Sequence, residues 1–152
     1  MTNSDKFVSH LKASEDARWL VARWLSGRGH TVTLKPLSIR PTSADHAEYA
    51  DDGDIQTELG RFEVKRLGID FTGAEDWPFK DYIVCGKNAW DRAEPKPYVF
   101  VTLSNNMKFA GVLMPVPSTW VIKTIIDKRY NGYSQEFYLT DVSAVKFLKV
   151  LL

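Results

Sequence analysis

The chain has little that would tie it to an oxidising compartment or to a membrane. It contains one cysteine, Cys85, which cannot form an internal disulfide. No apolar run approaches the roughly 20 residues that a transmembrane helix needs. The first ten residues, MTNSDKFVSH, lack the basic and then apolar order of a signal peptide. These absences predict a cytoplasmic protein with no membrane partner.

An excess of charge is missing as well, because 20 basic side chains are balanced by 19 acidic ones and the net charge is +1. This balance excludes a polycationic nucleic-acid coat but leaves a local basic stripe open. The three histidines, His10, His30 and His46, are too far apart for a local zinc signature. No glycine-rich phosphate-binding loop is present. The composition is ordinary for a globular protein, 44% hydrophobic and 26% charged, and the chain is long enough for one domain with a core.

The hydrophobic pattern mixes helical and strand periods along the chain. Residues 14–26 place apolar side chains at helical spacing, with Ser14 as the N-cap and Glu15 in the first turn. The segment PSTWVIKTIIDKRY also looks helical, and the segment QEFYLTDVSAVKFLKVLL looks strand-like. This mixture predicts an α/β fold of the α+β sandwich kind, in which helices flank a mixed central sheet.

Two hairpins are expected between these segments. The first is GDIQTELGRFEVKRLG, residues 53–68, with its turn at Glu58–Gly60. The second turns at Asn105–Asn106 between the runs PYVFVTL and MKFAGVLMP. YIVCG between the hairpins has strand character, and KNAWDRA is expected to form a short helix.

The first hairpin carries the residues with the clearest chemistry, Asp54, Glu63 and Lys65. Because side chains alternate along a strand, Glu63 and Lys65 share a face. Mg²⁺ accepts one or two carboxylates together with waters and phosphate oxygens. The two carboxylates could hold such an ion across the hairpin, while the lysine orients a water or stabilises developing negative charge. The alternative is a solvated hairpin whose charges have no function.

The chain contains a second E-x-K sequence, Glu94-Pro95-Lys96. Pro95 cannot donate a hydrogen bond to a central ladder, and the flanking residues lack apolar alternation. This copy is therefore expected to be a loop, which leaves the first copy as the one in a strand.

Asp54, an eight-residue gap and Glu63-Val64-Lys65 on an apolar strand resemble the PD-(D/E)xK nuclease superfamily, which has the restriction-endonuclease-like fold. The resemblance covers about residues 10–104, including the turn GRGHTV into the first strand and YVFVTL as the last core strand. Residues 105–152 would then be an elaboration of a single domain, residues 1–152. Gly53 stands where the motif's name has proline, a residue that performs no chemistry. Among the members, the chain looks most like small nucleases encoded by phages and mobile elements.

The resemblance implies a Mg²⁺-dependent endonuclease that hydrolyses phosphodiester bonds in DNA, with Mn²⁺ able to replace Mg²⁺. Its catalytic residues would be Asp54, Glu63, Lys65 and Glu15, and its metal ligands Asp54, Glu63, Val64 and Glu15. Glu15 could equally do no more than complement the dipole of its helix. Many relatives dimerise to cut both strands, so a homodimer stays open. The other class of function is a non-catalytic module, on a nuclease-like fold, that binds nucleic acid or a protein.

Basic residues after the motif are the predicted contacts to a nucleic-acid backbone. They are Lys80, Lys87, Arg92 and Lys96. Tyr82 and Trp90 lie among them and could stack on a base or sugar. An ordinary charged surface over core aromatics is the alternative, and Cys85 is expected to be a buried, inert thiol.

Overall fold

The described part of the chain is residues 2–34, 55–127 and 133–152 of a computed structural model, and it contains two helices and nine strands. The helices are α1 (Asn3–Gly27) and α2 (Lys87–Arg92). The strands are β1 (Val32–Thr33), β2 (Ile55–Thr57), β3 (Gly60–Arg66), β4 (Asp81–Gly86), β5 (Val99–Leu103), β6 (Phe109–Leu113), β7 (Val121–Asp127), β8 (Tyr133–Asp141) and β9 (Lys146–Lys149). Neither helix is at once long and apolar enough to cross a membrane.

Six strands form the main sheet, in the order β1-β2-β3-β5-β6-β9. The central pair, β3 and β5, is parallel, and every other neighbouring pair is antiparallel. A parallel pair needs a crossover connection, which here contains β4 and α2. The fold is therefore α+β with a mixed central sheet, and both predicted hairpins, β2–β3 and β5–β6, are confirmed.

Helix α1 covers one face of the main sheet. Its buried side chains Ala17, Val21, Trp24 and Leu25 pack in one cluster with Phe62, Val99, Val101 and Leu103 of the sheet. Fully burying an aliphatic side chain of this kind contributes about 1.5–3 kcal/mol, so this cluster holds the helix on β3 and β5.

The start of α1 differs from the prediction. The helix begins at Asn3, so Ser14 is not its N-cap and Glu15 does not lie in its first turn. The physical reason is that no glycine or proline interrupts the sequence from Asn3 to Ser26. A role for Glu15 in complementing the helix dipole is therefore excluded by position.

A second sheet, in the order β4-β8-β7, covers the other face of the main sheet. The core between the sheets contains Tyr82 and Val84 from β4 together with Phe100, Leu113 and Val145. The prediction of a helix in PSTWVIKTIIDKRY is wrong, because Pro117–Thr119 forms one 3₁₀ turn and β7 follows it. Five of the seven residues in β7 are β-branched, a composition that favours strands.

Residues 105–152 contribute to both sheets. They supply β6 and β9 to the main sheet and β7 and β8 to the second sheet. Leu113 and Val145 from this segment lie in the core between the sheets. The segment is thus part of the same packed unit as β3 and β5.

Candidate active site

Three charged side chains project from one face of β3. The β3–β5 ladder runs from Phe62 to Arg66 without a register shift, so side chains alternate along it. Phe62 and Val64 pack in the cluster under α1. Arg61, Glu63 and Lys65 therefore face the second sheet.

Lys65 is half-buried between the two sheets. Its Nζ donates hydrogen bonds to the carbonyl oxygens of Ile83 at 2.5 Å and Val84 at 3.3 Å, and it lies 5.1 Å from the centroid of the Tyr82 ring. The pairing of β4 with β8 shifts register between Ile83 and Cys85, and such a bulge re-aims the backbone locally. Burial lowers the pKa of Lys65 to about 8, because the interior disfavours the charged ammonium.

Glu63 is held by a residue that the sequence analysis did not select. Arg61 donates from Nη2 to Glu63 Oε1 at 2.9 Å and from Nη1 to the carbonyl oxygen of Pro95 at 2.9 Å. The side chain of Arg61 is 9% exposed and that of Glu63 is 26% exposed. The sequence could have indicated this contact, because a residue two positions before Glu63 on a strand must share its face.

Asp54 lies outside the described residues, and the predicted pairing of Asp54 with Glu63 therefore also falls outside the part of the chain that the structure describes. Asp54 immediately precedes Ile55, whose partner across the β2–β3 ladder is Phe62. Among the described residues, no three His, Cys, Asp or Glu side chains come together as a metal-binding group. Mg²⁺ needs only one or two carboxylates beside waters and substrate oxygens. Glu63 and Asp54 therefore have the donor chemistry for it, and the apolar Val64 could offer only its backbone carbonyl.

Glu15 lies beside Arg18 on α1. Glu15 Oε1 and Arg18 Nε are 3.1 Å apart, in an ion pair that lacks the alignment of a hydrogen bond. Helix α1 packs on the Phe62 face of β3, whereas Lys65 projects from the opposite face. The structure thus brings Glu63 and Lys65 together on one face and puts the helix of Glu15 on the other.

A cleft opens beside Lys65 and is lined by residues of both sheets. It has a volume of about 370 Å³ and runs from Lys65 and Thr102 of the main sheet to Lys123 and Ile125 of β7. The remaining lining residues are Leu67, Trp77, Pro78, Phe79, Lys80, Asp81, Tyr82, Ile83 and Leu139. The contribution of Lys123 was missed in the sequence because its strand was predicted to be a helix.

The hydroxyl of Tyr82 makes a hydrogen bond with Thr102 Oγ1 at the inner end of the cleft. Burial raises the pKa of Tyr82 to about 12, because the interior disfavours the phenolate. Tyr82 is a core aromatic, only 1% exposed, and Trp90 packs against Phe100 and Trp120. Both rings thus pack in the core between the sheets, where Tyr82 is buried and Trp90 is partly buried.

Of the four predicted basic contacts, Lys80 is the one that lines the cleft, where it is exposed. The other three lie on or just after α2. Lys87 pairs with Asp91 at 2.6 Å, and Arg92 Nε donates to the Asn88 carbonyl at 3.2 Å. Lys96 Nζ donates to the last-turn carbonyls of Trp90 and Asp91, at 2.5 and 3.2 Å. Arg92 and Lys96 make their contacts at the C-terminal end of the short helix, where cations are favoured, whereas Lys87 lies at its first residue.

Of two smaller predictions about this region, the loop at Glu94–Lys96 is confirmed and the buried thiol at Cys85 is met in part. Glu94-Pro95-Lys96 lies between α2 and β5 and not in a strand. Cys85 is partly buried, and burial raises the pKa of its thiol to about 12, which leaves it protonated and unreactive at neutral pH.

The identity of the protein does not follow from similarity to known proteins. No family model, curated protein or solved structure matched this chain. Its function has to be inferred from the side chains and the geometry described above.

Proposed function

We propose that the protein is a Mg²⁺-dependent nuclease that hydrolyses phosphodiester bonds in DNA. The observation that carries the proposal is that Glu63 and Lys65 lie on one face of β3, the strand that pairs in parallel with β5. The order of elements also supports it, with a helix, three antiparallel strands, a crossover and then a parallel strand. This is the order implied by the resemblance to the PD-(D/E)xK superfamily.

Lys65 is the proposed catalytic lysine. An ammonium group has three hydrogens to donate, and two of them point to the carbonyls of Ile83 and Val84. The third can be donated to a phosphoryl oxygen or to the attacking water. Because these contacts fix the ammonium before substrate arrives, and because partial burial weakens screening, its effect on developing charge is stronger than that of a solvated lysine.

Glu63 and Asp54 are the proposed metal ligands, with the backbone of Val64. When bound, Mg²⁺ would polarise a phosphoryl oxygen and lower the pKa of a coordinated water. Arg61 positions Glu63 by donating to one of its carboxylate oxygens. Glu15 is outside this centre, since its helix covers the opposite face of the sheet.

Holding Lys65 between the sheets has an energetic cost that stability alone does not explain. Its lowered pKa shows that the surroundings disfavour the charged form. An apolar side chain in the same place would avoid that cost. Strongly shifted groups in clefts are concentrated at functional sites, and this supports a catalytic role.

A non-catalytic nucleic-acid-binding module is the second candidate. It is favoured by the contact in which Arg61 already occupies one oxygen of Glu63. Such a module would use the same cleft and its lysines but would need no metal. The two candidates differ in whether the protein cleaves its substrate when a divalent ion is present.

The deciding experiment is incubation of the protein with plasmid and with single-stranded DNA in Mg²⁺, Mn²⁺ or EDTA. The nuclease proposal predicts cleavage in both metals and none in EDTA. The Glu63→Gln variant should lose cleavage, as should Asp54→Asn. The matched control is Glu94→Gln, which changes the glutamate of the second E-x-K sequence, is exposed, and should cut at the wild-type rate. Intact DNA in both metals would leave the binding module as the function.

A further inference from the structure

The cleft beside Lys65 combines apolar walls with positive charge. Trp77, Phe79 and Ile125 provide apolar wall, and the charged lining consists of three lysines, Lys65, Lys80 and Lys123, with one carboxylate, Asp81. Lys80 and Lys123 are exposed, whereas Lys65 is half-buried. A ligand that satisfies both features needs a flat apolar part and an anionic part. A nucleotide, with its base and its phosphate, has this chemistry.

Phe79 is the most informative residue of the wall. It is 54% exposed, although it belongs to a residue type that is usually buried. Its ring meets Trp77 edge to face, with centroids 5.6 Å apart, and Trp77 packs in turn against Phe71 and Phe147. The exposed ring is therefore supported by a fixed aromatic cluster. Such a ring offers a base a stacking surface without a large loss of side-chain freedom.

The size of the cleft favours an unpaired base inside it over paired strands. In a closed duplex the bases are stacked inside the helix, and an enzyme reaches them only by extruding them at a cost in stacking and pairing energy. A cleft of about 370 Å³ has room for a group of nucleotide size but not for a double helix. Stacking on Phe79 is open only to a base that has left its own stack.

We infer that this cleft receives an unpaired nucleotide adjoining the scissile phosphate, so that the substrate class is single-stranded nucleic acid. Lys80 and Lys123 contact the phosphates on either side of a base that stacks on Phe79. The inference deepens the proposed function and rests on it for the identity of the ligand as nucleic acid. It does not rest on cleavage, because binding of the strand can be measured without a metal.

The test uses the full chain carrying Glu63→Gln, in EDTA, so that no cleavage disturbs binding. Fluorescence anisotropy is measured with labelled decameric oligothymidylate, with decameric oligouridylate and with a DNA hairpin of equal phosphate number. We expect a single strand to bind at least about tenfold more tightly than the hairpin. Adding Phe79→Ala or Lys123→Ala should weaken single-strand binding about tenfold, within the range found for loss of one stacked base. The two single strands differ in the sugar and in the C5 methyl group of the base, and preferential binding of either supports the inference.

Two exposed residues outside the cleft provide the matched controls. Trp19→Ala removes an aromatic ring that is 60% exposed on α1, and Lys146→Ala removes an exposed lysine on β9. Both should bind the single strand as the parent protein does. Equal affinity for the hairpin, or unchanged single-strand binding after both Phe79→Ala and Lys123→Ala, would overturn the inference. Single-strand binding that depends on the cleft, without cleavage by the wild type in any metal, would reject the nuclease but keep the cleft as a binding site for an unpaired nucleotide.

Discussion

The Nζ atom of Lys65 lies 2.5 Å from the backbone carbonyl oxygen of Ile83, and this contact joins the two sheets. Lys65 belongs to β3, one of the two central strands of the main sheet, and Ile83 to β4, an edge strand of the second. The same side chain therefore fixes the packing of two layers and forms part of the cleft wall. Structural and catalytic roles of Lys65 have to be separated by experiment.

Replacing Lys65 by alanine should slow metal-dependent cleavage by about a hundredfold, the usual loss when one group that stabilises transition-state charge is removed. Affinity for Mn²⁺, measured by calorimetry, should be unchanged because the carboxylates remain. Lys146→Ala, an exposed lysine on β9, is the control for a general loss of positive charge. Loss of Mn²⁺ binding in Lys65→Ala would instead show that the lysine supports the shape of the site.

The pH dependence of stability should reveal the buried ammonium. The pKa of Lys65 falls from 10.5 to about 8 on folding, so between these values the unfolded chain holds a proton that the folded protein has released. Stability rises with pH wherever the unfolded state binds more protons. The free energy of unfolding of the wild type, relative to Lys65→Met, should therefore increase from about pH 8 to about pH 10.

Urea denaturation of the two proteins at neutral and alkaline pH measures this difference. Cys85 and Tyr82, whose pKa values are raised by burial, titrate in both proteins and act in the opposite direction. The contributions of Cys85 and Tyr82 cancel in the difference between the two proteins when Lys65→Met leaves their pKa values unchanged. If the free energy of unfolding of the wild type minus that of Lys65→Met stays constant or falls as the pH rises, the ammonium is not desolvated.

Arg61→Lys should affect both stability and cleavage. The guanidinium makes two hydrogen bonds from separate nitrogens, to Glu63 and to the Pro95 carbonyl, and an ammonium cannot reproduce this planar fork. We expect a loss of about 1–3 kcal/mol in the free energy of unfolding, the range for a buried group left unsatisfied. Cleavage should fall because Mg²⁺ binds more weakly. Saturating Mg²⁺ should restore more of the rate than it does in Glu63→Gln, because the carboxylate ligand is misplaced but still present. Unchanged Mg²⁺ affinity would contradict a positioning role.

Glu15→Gln tests a predicted ligand whose helix packs on the face of β3 opposite Lys65. Its observed partner is Arg18, one helical turn along α1, and such pairs contribute about 0.2–0.5 kcal/mol. Thermal unfolding should therefore shift slightly downwards while the cleavage rate and the Mg²⁺ affinity stay at wild-type values. A clear loss of Mg²⁺ affinity would return Glu15 to the metal centre.

Local signals in the sequence predicted the central part of the fold correctly. The hairpins follow from alternation on either side of short turns, and the shared face of Glu63 and Lys65 follows from strand geometry alone. β7 could not be predicted in this way, because its apolar side chains do not alternate and its conformation depends on pairing with β8. The packing of the second sheet against Lys65, which creates the cleft, joins segments far apart in sequence and leaves no local pattern.

The parallel pairing of β3 with β5 also determines the order in which the protein can fold. The hairpins β2–β3 and β5–β6 close over short turns, and such hairpins form in about 1–10 μs. Pairing of Phe62 with Val99 has to wait until the intervening chain has been brought together, at an entropic cost that slows folding. That intervening chain contains β4, Trp77 and Phe79. The segment that shapes the cleft is thus also the segment that has to close before β3 and β5 can pair.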